Sequence, residues 1–257
     1  MTWRKKGSKT EYLEFIRSIK GRRWSNPLRI PSFSGGHSSW IRHDVDKDLL
    51  HALKFAEYEA KNNIHSTYFL LHTAPYFDYS FDFKMKLRAL SHMGHGVGFH
   101  NDVLSVWWDR QSGGPDITTV EEIEKALGFM REVVEVKGTS CHGAREHYKR
   151  GYFNYEIWKE CCKEKNAVFG RYKENFVTYS LNEFDLHYEA YFLPYTHYFS
   201  DSGNNWIGYV VDGQKPFERT ALESPNNLGS NVIEEFNKCK EGFLQVLTHP
   251  CHWEEIK

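Results

Sequence analysis

The sequence predicts an α/β protein built as a distorted or incomplete (β/α) barrel, and three observations carry that prediction. Strand-like and helix-like segments alternate over most of the 257 residues, the pattern that yields parallel strands joined by right-handed crossovers. The length suits one α/β barrel unit. Residues able to bind metal or move protons recur at the ends of successive predicted strands, as on the face of a parallel barrel where sites are built. An open doubly wound sheet is the second architecture this alternation allows. No Gly-x-Gly-x-x-Gly or Walker loop supports it.

The elements follow in order. "SWIRHDVD" (39–46) reads as a strand. In "DLLHALKFAEYEAKNN" (48–63) the apolar residues fall mostly at helical spacing, with Asp48 as N-cap. "STYFLL" (66–71) is a buried strand by its β-branched and aromatic density. "FDFKMKLRALSHMG" (81–94) is a helix stopped by Gly94, and "GVGFH" (96–100) a short strand. "TTVEEIEKALGFMREVV" (118–134) is the strongest helix. Thr118 or Thr119 caps it, acids fill its first turn, and Val120, Ile123, Ala126, Leu127, Met130 and Val134 form one stripe. "GTSCHGA" (138–144) returns as a strand, "YEIWKECCKEKN" (155–166) reads as a helix, and "AVFGRY" (167–172) as a strand. Shorter strand-like pieces follow in "YEAYFLPYTHYF" (188–199) and "NWIGYVV" (205–211). A last helix covers "SNVIEEFNKCKEG" (230–242), capped by Ser230 or Asn231, and "FLQVLTH" (243–249) closes as a strand. No repeat or low-complexity linker divides the chain, so one domain over 1–257 is expected, its motif-bearing core at about 38–253.

Composition narrows the class. Hydrophobic residues make up 40%, enough for a sizeable core, and aromatics 16%. Thirty-three Lys and Arg against 34 Asp and Glu leave a net charge of −1, without the positive field of a nucleic-acid binder. Five cysteines, two of them adjacent (Cys161 and Cys162), suggest neither a disulfide framework nor a zinc ribbon. The first residues lack the apolar run of a signal peptide, and no window of 18 apolar residues spans a membrane. A reducing cytoplasm is the expected location. Oligomeric state is not legible.

The polar residues at strand ends carry the chemistry. The first predicted strand ends in His43, Asp44 and Asp46, the second in His72, the third in His100, Asn101 and Asp102. The fourth carries Cys141 and His142, then Arg145; a later one carries His197, followed by Asp201; the last ends in His249. Asp44 and Asp46 lie two apart, on one side of an extended strand, where like charges repel unless something compensates them. A bound dication does so, one acid ligating and the other free as a base. Carboxylate with imidazole is the usual ligand mix for Zn²⁺ and similar ions.

In order, "IRHDVD", "GHGVGFHND", "SCHGAR" and "LTHPCHW" resemble the motifs of the polysaccharide deacetylases, the NodB-homology carbohydrate esterases, and more closely a divergent branch associated with surface-polysaccharide biosynthesis. The motifs span about residues 40–253. The resemblance implies a distorted, NodB-like (β/α) barrel and removal of acetyl groups from sugars with a divalent metal, commonly zinc. It implies Asp44 as general base, Asp46 and His100 as metal ligands, Arg145 as the residue orienting the base, Asp201 and Trp206 as loose matches to a substrate-side motif, and His249 as general acid. The chain departs from the pattern at Leu104, where the family has a second metal histidine. His142 is the expected replacement, with Asp102 as the local alternative and His72 and His95 as outsiders.

The expected function is therefore metal-dependent hydrolysis of an acyl group, acetyl or formyl, from an amino sugar. The expected substrate is a carbohydrate precursor or sugar nucleotide of polysaccharide or O-antigen assembly. Two other classes fit the same residues: a non-catalytic carbohydrate-binding homologue that lost turnover with Leu104, and an amide-transferring enzyme of the same pathway. Innocent roles stand beside the functional ones. Asp46 could belong to a helix N-cap region, His197 could be a packed residue on an aromatic strand, and Trp107 and Trp108 could line a sugar subsite or simply pack.

Overall fold

The structure is a computed structural model that describes residues 7–19, 37–111, 118–143, 147, 149, 151–162, 177–202, 207–211, 219–222 and 230–254. Its centre is strand β1 (His37–Val45), buried along all but its first residue. Beside β1, in one sheet, lie β2 (Thr67–Leu71), β3 (Gly96–Asn101), β4 (Gly138–Cys141) and β5 (Tyr188–Glu189). On its other side come β9 (Gly242–Thr248), β6 (His197–Ser200), β7 (Ile207–Val211) and β8 (Arg219–Leu222). The order is β5-β4-β3-β2-β1-β9-β6-β7-β8, with the first seven parallel and the last two antiparallel.

Side-chain contacts show that this sheet curls. Strands β1 and β4 stand three positions apart, about 14 Å across a flat sheet. Yet Ser140 Oγ lies 3.2 Å from Asp44 Oδ2, two short side chains that could not meet unless the sheet bends round. Trp40 on β1 and Tyr188 on β5 also touch, their ring centroids 5.8 Å apart. The fold is thus the incomplete (β/α) barrel expected from the sequence, and the strand period sorts every residue of β1. Trp40, Arg42 and Asp44 face the barrel interior with Phe69, Tyr198 and Leu247, while Ile41 faces the helices with Tyr12, Phe55 and Val246. Gly98 on β3 is required by this closure, because a Cβ there would come within 2.3 Å of the Phe69 ring.

The crossovers are helices α2 (Leu49–Lys61), α3 (Phe81–His92) and α5 (Thr119–Arg131), with α6 (Ser230–Lys238) leading into β9. Asp48 caps α2 through the His51 N–H, and Thr118 forms a reciprocal capping box with Glu121 on α5. Helix α3 ends as expected: Gly94 takes φ +84°, a left-handed conformation costly to any side chain. Two helices escaped the sequence reading. Helix α1 (Lys9–Ser18) opens on a Ser8–Glu11 capping box and buries Tyr12, Leu13, Phe15 and Ile16; α4 (Val103–Gln111) follows β3 directly.

Of the helix expected over 155–166, the described part forms two 3₁₀ turns, Asn154–Ile157 and Lys159–Cys162, and 163–166 lie outside the described residues. Trp158 between them is extended because it pairs with Tyr179: the Tyr179 N–H donates to the Ile157 carbonyl and the Lys159 N–H to the Tyr179 carbonyl. The strand expected at 167–172 lies outside the described residues. The stretch read as strand over 188–199 is broken by a 3₁₀ turn, Ala190–Phe192, so only its two ends pair. Among the described residues, no helix is long and apolar enough to cross a membrane.

Outside the barrel wall, a second polar group is sealed in the core. Glu59 of α2 is fully buried. It accepts from Ser66 Oγ at 2.6 Å, from the Tyr68 hydroxyl at 2.7 Å and from the Tyr12 hydroxyl, with His43 Nε2 at 2.9 Å. His43 therefore points away from the rim, and Thr248 Oγ1 holds its other nitrogen at 2.6 Å. Burial opposes ionisation of Glu59, but the charge and hydrogen bond of His43, the charge of His95 and the Ser66 hydrogen bond overcome it and hold its pKa at about 2.

Candidate metal centre and acid–base site

At the C-terminal rim, Asp46 follows β1, His100 lies on β3 and His142 follows β4. Asp46 Oδ1 stands 3.3 Å from His100 Nε2 and 3.5 Å from His142 Nδ1, and the two imidazole nitrogens are 3.2 Å apart. A tetrahedral ion with bonds of about 2.0–2.1 Å spaces its ligand atoms about 3.3–3.4 Å apart. All three edges fit. Asp46 Oδ1 is buried and accepts no hydrogen bond from the described residues, although both imidazole nitrogens stand within 3.5 Å of it. One carboxylate oxygen and two imidazole nitrogens converging at these spacings is a donor set that suits a divalent cation. His100 Nδ1 lies 2.9 Å from the Ser140 carbonyl; donating there fixes the tautomer that leaves Nε2 as an acceptor toward the cluster.

His142 is placed by Asn154, a residue the sequence reading did not single out. The Asn154 side-chain amide donates to the His142 carbonyl and to Asp102 Oδ1, both at 2.9 Å, and its oxygen accepts the Leu104 N–H at 3.0 Å. Leu104 is 1% exposed and packs into the apolar core. Asp102 is not in the cluster. Thr73, Ser105 and Asn154 saturate its carboxylate. His72 is held by Glu122 at 3.0 Å and accepts the Asp102 N–H. His95 sits between Ala56 and Ser66. His197 begins β6 rather than ending it and packs against Phe236, so it is a core residue and not part of the rim. Trp107 and Trp108 lie on α4, where the Trp108 ring stacks on Tyr152.

Asp44 flanks the cluster, its Oδ2 3.9 Å from His100 Nε2. Ser140 Oγ donates to that Oδ2, while Oδ1 is buried with no hydrogen-bond partner among the described residues. His249 Nε2 stands 3.9 Å from Asp46 Oδ2. Its Nδ1 is 2.5 Å from Asp201 Oδ1, and its backbone N–H donates to Asp201 Oδ2 at 2.8 Å. His252 Nδ1 approaches the same carboxylate at 3.3 Å. These three also form a metal-capable group by proximity, but 2.5 Å is a hydrogen-bond separation, too short for an edge between two ligands of one ion. A proton, not a metal, joins Asp201 to His249.

The electrostatics divide accordingly. Burial opposes ionisation of Asp46, but the adjoining His100 and His142 and the charge on His249 hold it well below the usual carboxylate range. Burial also opposes a charged His249; Asp201 overcomes it, with help from Asp46 and Asp44, and pushes the pKa up to about 9. Arg145 and Trp206 lie outside the described residues. Beyond Asn154, the residues the sequence reading passed over are Arg42, Ser140 and His252. Each had a signal: Arg42 and Ser140 sit two residues before Asp44 and His142, on the same strand faces, and His252 follows His249 by three.

Fold and site together define an incomplete (β/α) barrel with a metal-capable Asp-His-His cluster beside two acid–base groups. No family model and no curated protein matches the chain. Among solved structures it is similar to a family 4 carbohydrate esterase from Bacillus anthracis, at 14% identity and TM-score 0.32 over 50% of this chain and 56% of that one. The match thus spans little more than half of that protein. The chain is also similar to the catalytic domain of a peptidoglycan N-acetylglucosamine deacetylase from Eubacterium rectale (12%, TM-score 0.42, 87% and 81% covered). A third similar structure is a polysaccharide deacetylase from Bacillus cereus (12%, TM-score 0.37, 83% and 79% covered).

Proposed function

We propose that this chain is a metal-dependent hydrolase that removes an acetyl or formyl group from an amino sugar. The observation that carries this reading is the convergence of Asp46, His100 and His142 on one point, with Asp44 3.9 Å from His100 and His249 3.9 Å from Asp46. One carboxylate and two imidazoles suit Zn²⁺. When bound, such an ion supplies Lewis acidity to a substrate carbonyl. The chain's own residues do the rest. The Asp44 carboxylate, which stands beside the cluster, takes the proton of the attacking water. His249, tied through Nδ1 to Asp201, presents Nε2–H to the departing amine nitrogen. An amine leaves poorly without that proton, and each acid–base role is worth about 10²–10⁴-fold.

The motif resemblance supports a carbohydrate as the acyl carrier, and its branch supports a glycan precursor or sugar nucleotide of surface-polysaccharide assembly. Four free cysteines at positions 141, 161, 239 and 251 are compatible with a reducing compartment. The test is acetate release from penta-N-acetylchitopentaose and from UDP-N-acetylglucosamine by zinc-loaded protein, with and without chelator. Release that chelation abolishes and zinc restores supports the reading. Sugar binding without release from any acylated amino sugar would replace it with the non-catalytic homologue.

A further inference from the structure

We infer that Arg42 is the positioning residue of the base Asp44, acting from the same strand both directly and through the Ser140 hydroxyl. The inference rests on the reading of Asp44 as general base. Arg42 is 2% exposed and lies in the barrel interior, one strand period below Asp44. Its Nη1 donates to Ser140 Oγ at 3.0 Å, and Ser140 Oγ donates onward to Asp44 Oδ2 at 3.2 Å. Its Nη2 stands 3.9 Å from the same Oδ2. A hydroxyl has one proton to give. With the guanidinium filling its acceptor side, the Ser140 proton is directed to Asp44, so donor order runs Arg42, Ser140, Asp44. All of this falls on Oδ2. These contacts fix the carboxylate through the same oxygen that stands 3.9 Å from His100 Nε2, while Oδ1 has no hydrogen-bond partner among the described residues.

Stability does not explain a guanidinium here. Trp40, Phe69, Tyr198 and Leu247 pack in the same interior, and desolvating an ion in such a place is costly. Nor is Arg42 saturated: its Nε has no hydrogen-bond partner among the described residues. A second acid, fully buried Glu189 of β5, shares its field. Burial first, against the pull of backbone N–H groups and Arg42, raises the Glu189 pKa to about 7. Asp44 is the carboxylate that Arg42 and Ser140 both reach. The geometry therefore spends a buried cation on orienting a carboxylate beside a cluster of three metal-capable groups.

The experiment compares wild type, Arg42→Met, Arg42→Lys, Asp44→Asn and Arg42→Met/Asp44→Asn, each zinc-loaded, with acetate release from penta-N-acetylchitopentaose as the kinetic readout and crystal structures as the second. Arg42→Met is expected to lower kcat about 10²-fold, with KM and zinc content within twofold of wild type, and Arg42→Lys to recover about tenfold of that loss. In the Asp44→Asn background Arg42→Met is expected to cost less than threefold more, because its effect passes through the missing carboxylate. In the crystal, Asp44 is expected to leave Ser140 in Arg42→Met and keep it in Arg42→Lys. Full multiplicative loss in the double variant, or an Asp44 carboxylate unmoved in Arg42→Met, overturns the inference. Wild type without turnover sinks the hydrolase reading instead, and the crystallographic comparison still decides whether Arg42 places Asp44. Should Arg42→Met not fold, Arg42→Lys and Ser140→Ala carry the same two readouts.

Discussion

Asp201 Oδ1 and His249 Nδ1 are hydrogen-bonded at 2.5 Å, and the same carboxylate accepts the His249 backbone N–H through its other oxygen. Asp201 is completely buried, so this pair fixes both the ring orientation and the charge of His249. With the pKa raised to about 9 from an ordinary 6.5, the acid form persists well above neutrality. The stability the pair contributes is complete below pH 6.5 and disappears as pH rises through 9. Activity that needs the acid form fades over the same upper range. We predict a basic limb of kcat/KM near pH 9 that moves down by at least one unit in Asp201→Asn. A limb that stays in place removes His249 from the acid role.

The cluster predicts its own metal stoichiometry. Asp46→Ala, His100→Ala and His142→Ala should each reduce zinc measured by elemental analysis from about one equivalent to below about 0.1 after dialysis, since loss of even a supporting contact typically costs 10–100-fold in affinity. His252→Ala should leave zinc unchanged, because the 2.5 Å contact between Asp201 and His249 is closed by a proton. If His142→Ala retains its zinc, the third ligand has been misassigned.

Leu104 predicts a result opposite to simple motif repair. Its side chain is in the core and does not face the rim. Leu104→His should therefore bind zinc no more tightly and should lower unfolding stability by about 2–4 kcal/mol, from lost packing and a buried unpaired imidazole. Denaturant titration with a parallel zinc measurement reads both.

Removing the base should separate chemistry from metal. Asp44→Asn is expected to lose about 10²–10⁴-fold in kcat while keeping its zinc, because Asp44 flanks the cluster instead of closing it. Loss of both together would make Asp44 a ligand.

Glu59 predicts an acid-side stability signature away from the site. Its pKa is depressed to about 2 from 4.5, so its contribution is present above pH 4.5 and is lost as pH falls through 2. That contribution is on the order of 2–3 kcal/mol. Glu59→Gln should be less stable than wild type at pH 6, with the gap narrowing steadily below pH 4.5 in urea titrations. A gap independent of pH would show that packing, and not charge, is what Glu59 supplies.

Much of the barrel could be read in advance because its signals are local. The α2 cap at Asp48, the Thr118 box and the Gly94 stop each depend on residues within one turn, and the strands showed themselves by apolar runs. What failed was non-local. Trp158 looked helical until pairing with distant Tyr179 drew it straight. His72 follows β2 as its sequence position implies, but its pairing with Glu122 from α5, fifty residues away, is what turns it from the cluster.

The sequence by itself determined which chemistry was available: two carboxylates in β-period on the first strand, and imidazoles at the ends of the others. Only the tertiary structure decided which of them meet. The curl of the sheet brings β4 over β1, so His142 and not Asp102 joins Asp46 and His100, and Ser140 reaches Asp44 from three strands away. Period and capping act over a few residues, whereas curvature sums small twists over seven strands, and no short stretch of chain contains that sum.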